Sequence, residues 1–211
     1  MRLSLAVTLC TLASLCPARS DPPTPSFYGP SGAILTPSAV TLGGGRYALS
    51  LRYREHRNHI AVSYSPRGSV EVGATVADPS RPGAEPTEFG LNLKYMLLRE
   101  SEWAPAIAVG VGLWDVARGE DDGQYVVGLK RIGLPWPKQP VKLAVGGGRG
   151  VFGNLFASLS VPVHPWATAL AEFDGSHPNL VARVTLPRGF CVDVGSLNWT
   201  LGVGATYGAE W

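Results

Sequence analysis

From Arg46 onward the chain alternates apolar with small or polar residues, and it hardly breaks step. A period of two sends successive side chains to opposite faces of an extended strand, where a helix would need 3.6. Cut at its turn signals, the pattern predicts twelve strands over residues 46–54, 59–65, 69–76, 88–97, 105–114, 123–131, 140–147, 154–161, 167–173, 179–186, 190–195 and 199–211. One face collects Tyr47, Leu49, Leu51 and Tyr53, then Ile60, Val62 and Tyr64, then Phe89, Leu91, Leu93 and Tyr95. It continues through Ile107, Val109, Val111 and Leu113, and through Tyr125, Val127 and Leu129. The opposite face is Gly, Ala, Ser and Thr with an ionisable side chain every strand or so.

Punctuation supports the cuts. The prolines from Pro66 to Pro187 are expected at strand starts or between strands, because proline cannot donate to a ladder. Asp174-Gly175 and Arg188-Gly189 are turn dipeptides. The spacing is that of an antiparallel meander, since parallel strands need long crossovers and no amphipathic helix supplies one. No run of 18 apolar residues follows residue 20, so no transmembrane helix is expected.

Two architectures fit such a chain. A soluble sandwich would bury the apolar face and show water a face with far more charge than this one carries. A barrel in lipid inverts the arrangement, turning apolar residues outward and lining the bore with small and polar ones. On that reading Arg52, Glu71, Lys94, Lys130, Lys142, Glu172, Arg183 and Asp193 face the lumen, alongside Glu210. The tryptophans favour the barrel. Trp103, Trp114, Trp136, Trp166 and Trp199 all fall at strand ends or in turns, where an aromatic belt meets the two membrane interfaces. An even strand number puts both barrel ends on the periplasmic side, with Trp103, Trp136 and Trp166 there and Trp114 and Trp199 opposite. The expected fold is therefore all-β, a single antiparallel up-and-down transmembrane barrel of about twelve strands.

The N-terminus changes the charge balance. Arg2, the apolar run of residues 3–15, and small Ala18 and Ser20 before Asp21 form a secretory signal peptide pattern. Removing residues 1–20 takes two of the 18 Lys+Arg and none of the 16 Asp+Glu, so the two signs become equal. Nucleic acid is thus not an expected partner. Cys191 alone remains of the cysteines, which excludes a disulfide framework and a cysteine metal cluster. Residues 21–45 are rich in Pro, Gly, Ser and Thr, yet Ile34, Leu35, Val40 and Leu42 make them apolar enough to enter the bore as a plug or dock at its periplasmic mouth. Residues 46–211 form the barrel.

The last strand ends on aromatics. Its form resembles the C-terminal signal of bacterial outer-membrane barrels, with Tyr207 and Trp211 as the residues an assembly machinery would read. A wider resemblance covers most of residues 29–195. GAILTPSA near the start is followed by EFGLNLKYMLLRESEWAPAIAVGVGLWDVARGEDDGQYVVGLKR, and later by AEFDGSHPNLVARVTLPRGF. In this order they resemble the YjbH-like family of outer-membrane barrels. The resemblance implies a cell outer-membrane location and a link to exopolysaccharide biosynthesis or export, with polysaccharide and periplasmic export proteins as partners besides lipid and the assembly machinery.

Candidate chemistry is sparse. His56 and His59 do not converge on a strand or hairpin loop as they would on a helix, so a solvated loop is expected there rather than a metal site. Glu120-Asp121-Asp122 falls short of the 6–8 oxygen ligands calcium takes. Gly146-Gly147-Gly148-Arg149-Gly150 lacks the Lys-Ser/Thr ending of a phosphate loop and reads as a bend. An acyl hydrolase would need His164 or His177, with Glu172 or Asp174, within hydrogen-bond reach of a serine. The two histidines are expected in turns at opposite ends of one strand. No catalytic residue, metal or cofactor is assigned. The bore reads as a narrow or plugged conduit or a scaffold; a soluble sandwich and a hydrolase are the alternatives.

Overall fold

The computed structural model describes residues 22–54, 56–79, 87–114, 116, 121–136 and 139–209. Residues 1–21, Glu55, Glu120, Glu210 and Trp211 lie outside the described residues. Two short strands come first, β1 (Thr24–Pro25) and β2 (Ser31–Gly32), paired with each other. Twelve long strands follow: β3 (Arg46–Arg54), β4 (Arg57–Arg67), β5 (Val70–Pro79), β6 (Glu88–Leu98), β7 (Ala106–Trp114) and β8 (Asp121–Ile132). The others are β9 (Val141–Arg149), β10 (Leu155–His164), β11 (Ala167–Phe173), β12 (Pro178–Thr185), β13 (Phe190–Leu197) and β14 (Thr200–Ala209). Each pairs antiparallel with its sequence neighbours, and β14 closes on β3 from Val203↔Tyr53 to Ala209↔Tyr47. Closure leaves no strand edge unpaired, which is what a sheet in hydrocarbon requires.

Strand positions follow the sequence reading, but several strands are longer. β4 gains Arg57 and Asn58 at its start, and β8 gains Asp121 and Asp122. Prolines account for part of the difference. Pro66 lies inside β4 and Pro162 inside β10, each next to a register shift between Tyr64 and Arg67 or between Pro162 and His164. The bulge absorbs the missing N–H, so these prolines do not end their strands. The glycine run 146–148 is strand rather than bend. Gly146 leaves room for the Phe156 ring, which stands 2.4 Å from where a Cβ would lie.

The wall is apolar outside. Leu51, Ile60, Val62, Leu91, Leu93, Val111, Val126 and Leu180 are exposed, while their strand neighbours are buried. One strand reverses the expected phase. On β8, Tyr125, Val127 and Leu129 point inward and are buried, and the face of Val126 and Lys130 points out. The reason is that the inside is not water here. Tyr125, Val127 and Leu129 pack with Ala39, Ala106, Ala108, Ala144, Phe152 and Phe156 in one internal cluster. A second cluster joins Phe27, Ala33, Ile34 and Leu35 to inward-facing Leu170, Val181 and Leu197.

Residues 22–45 therefore lie within the barrel. The segment is folded on itself by Phe27 N donating to Ile34 O (2.9 Å), Ala33 N to Thr36 O (3.1 Å) and Ser38 N to Ser31 O (3.0 Å). Gly29 takes φ +104°, and a Cβ there would stand 2.3 Å from Asn92 Nδ2, so only glycine fits this close approach.

Candidate functional site: the occupied lumen

Three groups of buried wall charges hold the inner segment, largely through its backbone. The first is at the near mouth, the end where β3 begins. Glu71, one residue into β5, accepts from Ser31 N (2.6 Å), Ser31 Oγ (2.7 Å) and Leu42 N (3.0 Å). Lys94 lies 3.3 Å from the Glu71 carboxylate and donates to Ser31 O (2.9 Å), Val40 O (2.7 Å) and Ser31 Oγ. Both side chains are wholly buried, so an unmatched charge at either would be costly.

The second group is at the far mouth. Glu172, next to last in β11, receives Ile34 N (3.0 Å), Leu35 N (3.0 Å), Thr36 N (3.0 Å) and Thr36 Oγ1 (2.7 Å). Three consecutive amides converging on one carboxylate form an anion-binding concavity, here filled by the protein's own side chain. Asn179 Nδ2 adds a donor at 3.2 Å.

The third group bridges the two. Asp193 takes Arg52 Nη1 (3.0 Å) on one side and Arg183 Nε (2.8 Å) and Nη2 (3.0 Å) on the other. The arginines then reach inward, Arg52 to Pro25 O (2.6 Å) and Arg183 to Ala33 O (2.9 Å). Arg52 also lies over the Phe27 ring, 5.2 Å from its centroid. GAILTPSA thus supplies the Ala33, Ile34, Leu35 and Thr36 groups that these charges bind, and its flanks supply those of Pro25, Ser31, Val40 and Leu42.

Lys142 faces the lumen beside Pro22, Pro23 and Arg183. Lys130 does not; it stands on the outer face and donates to Ser101 O (2.6 Å) and Glu102 O (2.8 Å) in the β6–β7 turn. Its misplacement follows from the reversed phase of β8. Trp103, Trp136 and Trp199 are exposed at the mouths and Trp166 is half-buried beside His164. Trp114 is no belt residue. It points inward, donates to Glu88 Oε2 (2.7 Å) and meets the Tyr28 ring edge-on at 5.1 Å. Tyr207 faces outward at the seam, against Phe190 and Tyr47. His59 is buried on the inner face of β4, edge-on to Phe27 at 5.1 Å, rather than in a solvated loop.

Of the residues an acyl hydrolase would draw on, His164 is at the opposite end of β11 from His177 and Glu172 is occupied by the inner segment, whereas His177, Asp174 and Ser176 share the β11–β12 turn, where Asp174 Oδ1 accepts from the backbone N–H groups of Ser176 (2.9 Å) and His177 (2.8 Å). Among the described residues, no group of three His, Cys, Asp or Glu side chains stands close enough to hold a metal ion.

Residues 24–169 match the family described as exopolysaccharide biosynthesis protein YbjH, well over half of the chain. The chain belongs to the YjbH family. The matched span runs from β1 through β10 and so contains GAILTPSA, Arg52, Glu71 and Lys94. The other anchors, Glu172, Arg183 and Asp193, lie beyond it. Comparison with the curated proteins gives no match. Among solved structures this YjbH-family chain is similar to a KdgM porin, with a TM-score of 0.52 and 10% identity over 79% of this chain and 99% of that one. It is also similar to a triple mutant of the Rhodopseudomonas blastica porin, with a TM-score of 0.33 and 18% identity over 74% of this chain and 56% of that one. The first likeness shows the porin-type barrel fold.

Proposed function

We propose that this YjbH-family barrel resides in the outer membrane as a conduit plugged by its own residues 22–45, and that it serves exopolysaccharide production or export. The observation that carries the reading is the clamping of one inner segment at both mouths, by Glu71 and Lys94 at one and Glu172 at the other. The polar clamps grip the segment mainly through its backbone groups, and so select its conformation. The family match supplies the polysaccharide connection.

Planar-bilayer conductance of the purified protein tests this. The intact barrel conducts poorly, and Glu71→Ala with Glu172→Ala, or removal of residues 21–45, raises conductance. Absence of current in all three forms would put a scaffold ahead. Close filling part-way along the bore favours that second reading: beside Pro23, Lys142 and Arg183 it leaves about 30 Å³, room for little more than about one water. The scaffold would act through periplasmic export proteins at the near mouth. Residence in the outer membrane predicts resistance to carbonate washing and heat-modifiable gel mobility. Mass measurement of the mature chain, with an N-terminus near Asp21, tests signal cleavage.

A further inference from the structure

The far mouth holds a cavity of about 280 Å³ on the outer side of the inner segment's tip. Its floor is the tip of the inner segment, Leu35 and Thr36, and one wall is Phe152. Arg54, Ser176, His177 and Asn198 face it from three different strand ends. Asp174 builds the turn that presents two of them, its Oδ1 accepting from Ser176 N (2.9 Å) and His177 N (2.8 Å). The His177 ring has no partner among the described residues.

A site with a small apolar floor and wall, ringed by a guanidinium, an imidazole, an amide and a hydroxyl, is suited to a compact ligand rich in hydroxyl groups. Its volume is at the bottom of the range for ligand pockets, so it accepts a single ring rather than a chain. Resting on the polysaccharide reading above, we propose that this cavity binds one saccharide unit, with Arg54, His177 and Asn198 contacting its hydroxyls and the Leu35–Thr36 tip lying beneath it. Because the floor belongs to the inner segment, occupancy reports directly on that segment. A bound sugar covers the Thr36 backbone from the far side while Glu172 holds it from within.

The test uses the full mature protein in nanodiscs, titrated with glucose, galactose, N-acetylglucosamine and glucuronate, with saturation-transfer NMR as the readout. At least one of these binds saturably with Kd in the millimolar range, and its binding slows exchange of the Leu35 and Thr36 amides. Arg54→Ala and His177→Ala each weaken it tenfold or more, while Lys130→Ala, on the outer face, leaves it unchanged; heat-modifiable mobility checks that every variant folds. No saturable binding of any probe, or equal binding by all variants, overturns the proposal. Conductance is read separately, so a barrel that conducts on unclamping but binds no sugar refutes this site alone. A barrel that binds sugar but never conducts refutes the conduit alone.

Discussion

Replacing Glu172 by Ala should release the tip of the inner segment while leaving the barrel wall closed. The carboxylate receives three consecutive amides and the Thr36 hydroxyl, all buried. A buried donor left without an acceptor costs roughly 1–3 kcal/mol, less where water reaches it. With several donors orphaned at once and the far mouth close by, the expected net penalty on the seated conformation is about 3–5 kcal/mol. At about 1.4 kcal/mol per tenfold, the displaced tip gains a population of at least roughly 100-fold. Amide exchange followed by NMR reads this residue by residue: Ile34, Leu35 and Thr36 should exchange on the order of 100-fold faster, with strands β3 to β14 unchanged. Glu172→Gln keeps one acceptor oxygen and should fall between. If the three amides exchange at the wild-type rate in Glu172→Ala, the carboxylate does not hold the segment and the reasoning fails.

Other consequences are open to simpler measurements. Asp193→Asn weakens the charge separating the buried Arg52 and Arg183, and should cost about 3–5 kcal/mol, seen as a lower temperature for the heat-modifiable gel shift; an unshifted transition would contradict it. A Cβ at Gly110 would stand 2.2 Å from Tyr125 Cζ, so Gly110→Val should destabilise by about 1–3 kcal/mol, and adding Tyr125→Ala should recover much of that loss. Trp114→Phe keeps the contact with Tyr28 but deletes the bond to Glu88, a loss of about 1–3 kcal/mol in thermal unfolding. Lys130→Glu should leave the ion selectivity of any current unchanged, because Lys130 is on the outer face; a reversal would return it to the lumen.

The sequence made the wall legible because a strand with lipid on one side must alternate, and Leu49 to Tyr53 or Leu91 to Tyr95 can alternate in only one sense. It left the interior obscure for a physical reason. Alternation separates two faces but does not state which one is dry, and here both are. On β8, Val126 faces outward while Tyr125, Val127 and Leu129 meet Ala39 and Phe152 inside, so apolar character alone could not set its phase. Trp114 went astray in the same way, since a strand-end tryptophan fits an interface belt as well as an inner contact with Tyr28. The inward charges Glu71, Lys94, Glu172, Arg183 and Asp193 were readable by position, but their partners were not. Most of those partners are backbone groups of Ser31, Ala33, Ile34 and Val40, and backbone groups leave no mark in a residue pattern.

The Arg52–Asp193 pair joins residues 141 apart, the first barrel strand and the last but one. It can form only once the two ends of the sheet have met, so it marks completion of folding rather than its start. Contacts of such long sequence separation carry the largest loop-closure entropy and tend to form late. Arg52, by contrast, can engage Pro25 and Phe27 while the sheet is still open, because all three lie within one short stretch of chain. On that order the inner segment would be in place before the sheet curls around it, and would act as the form on which the barrel closes. Removal of Asp193 should accordingly speed unfolding and leave the rate of closure nearly unchanged.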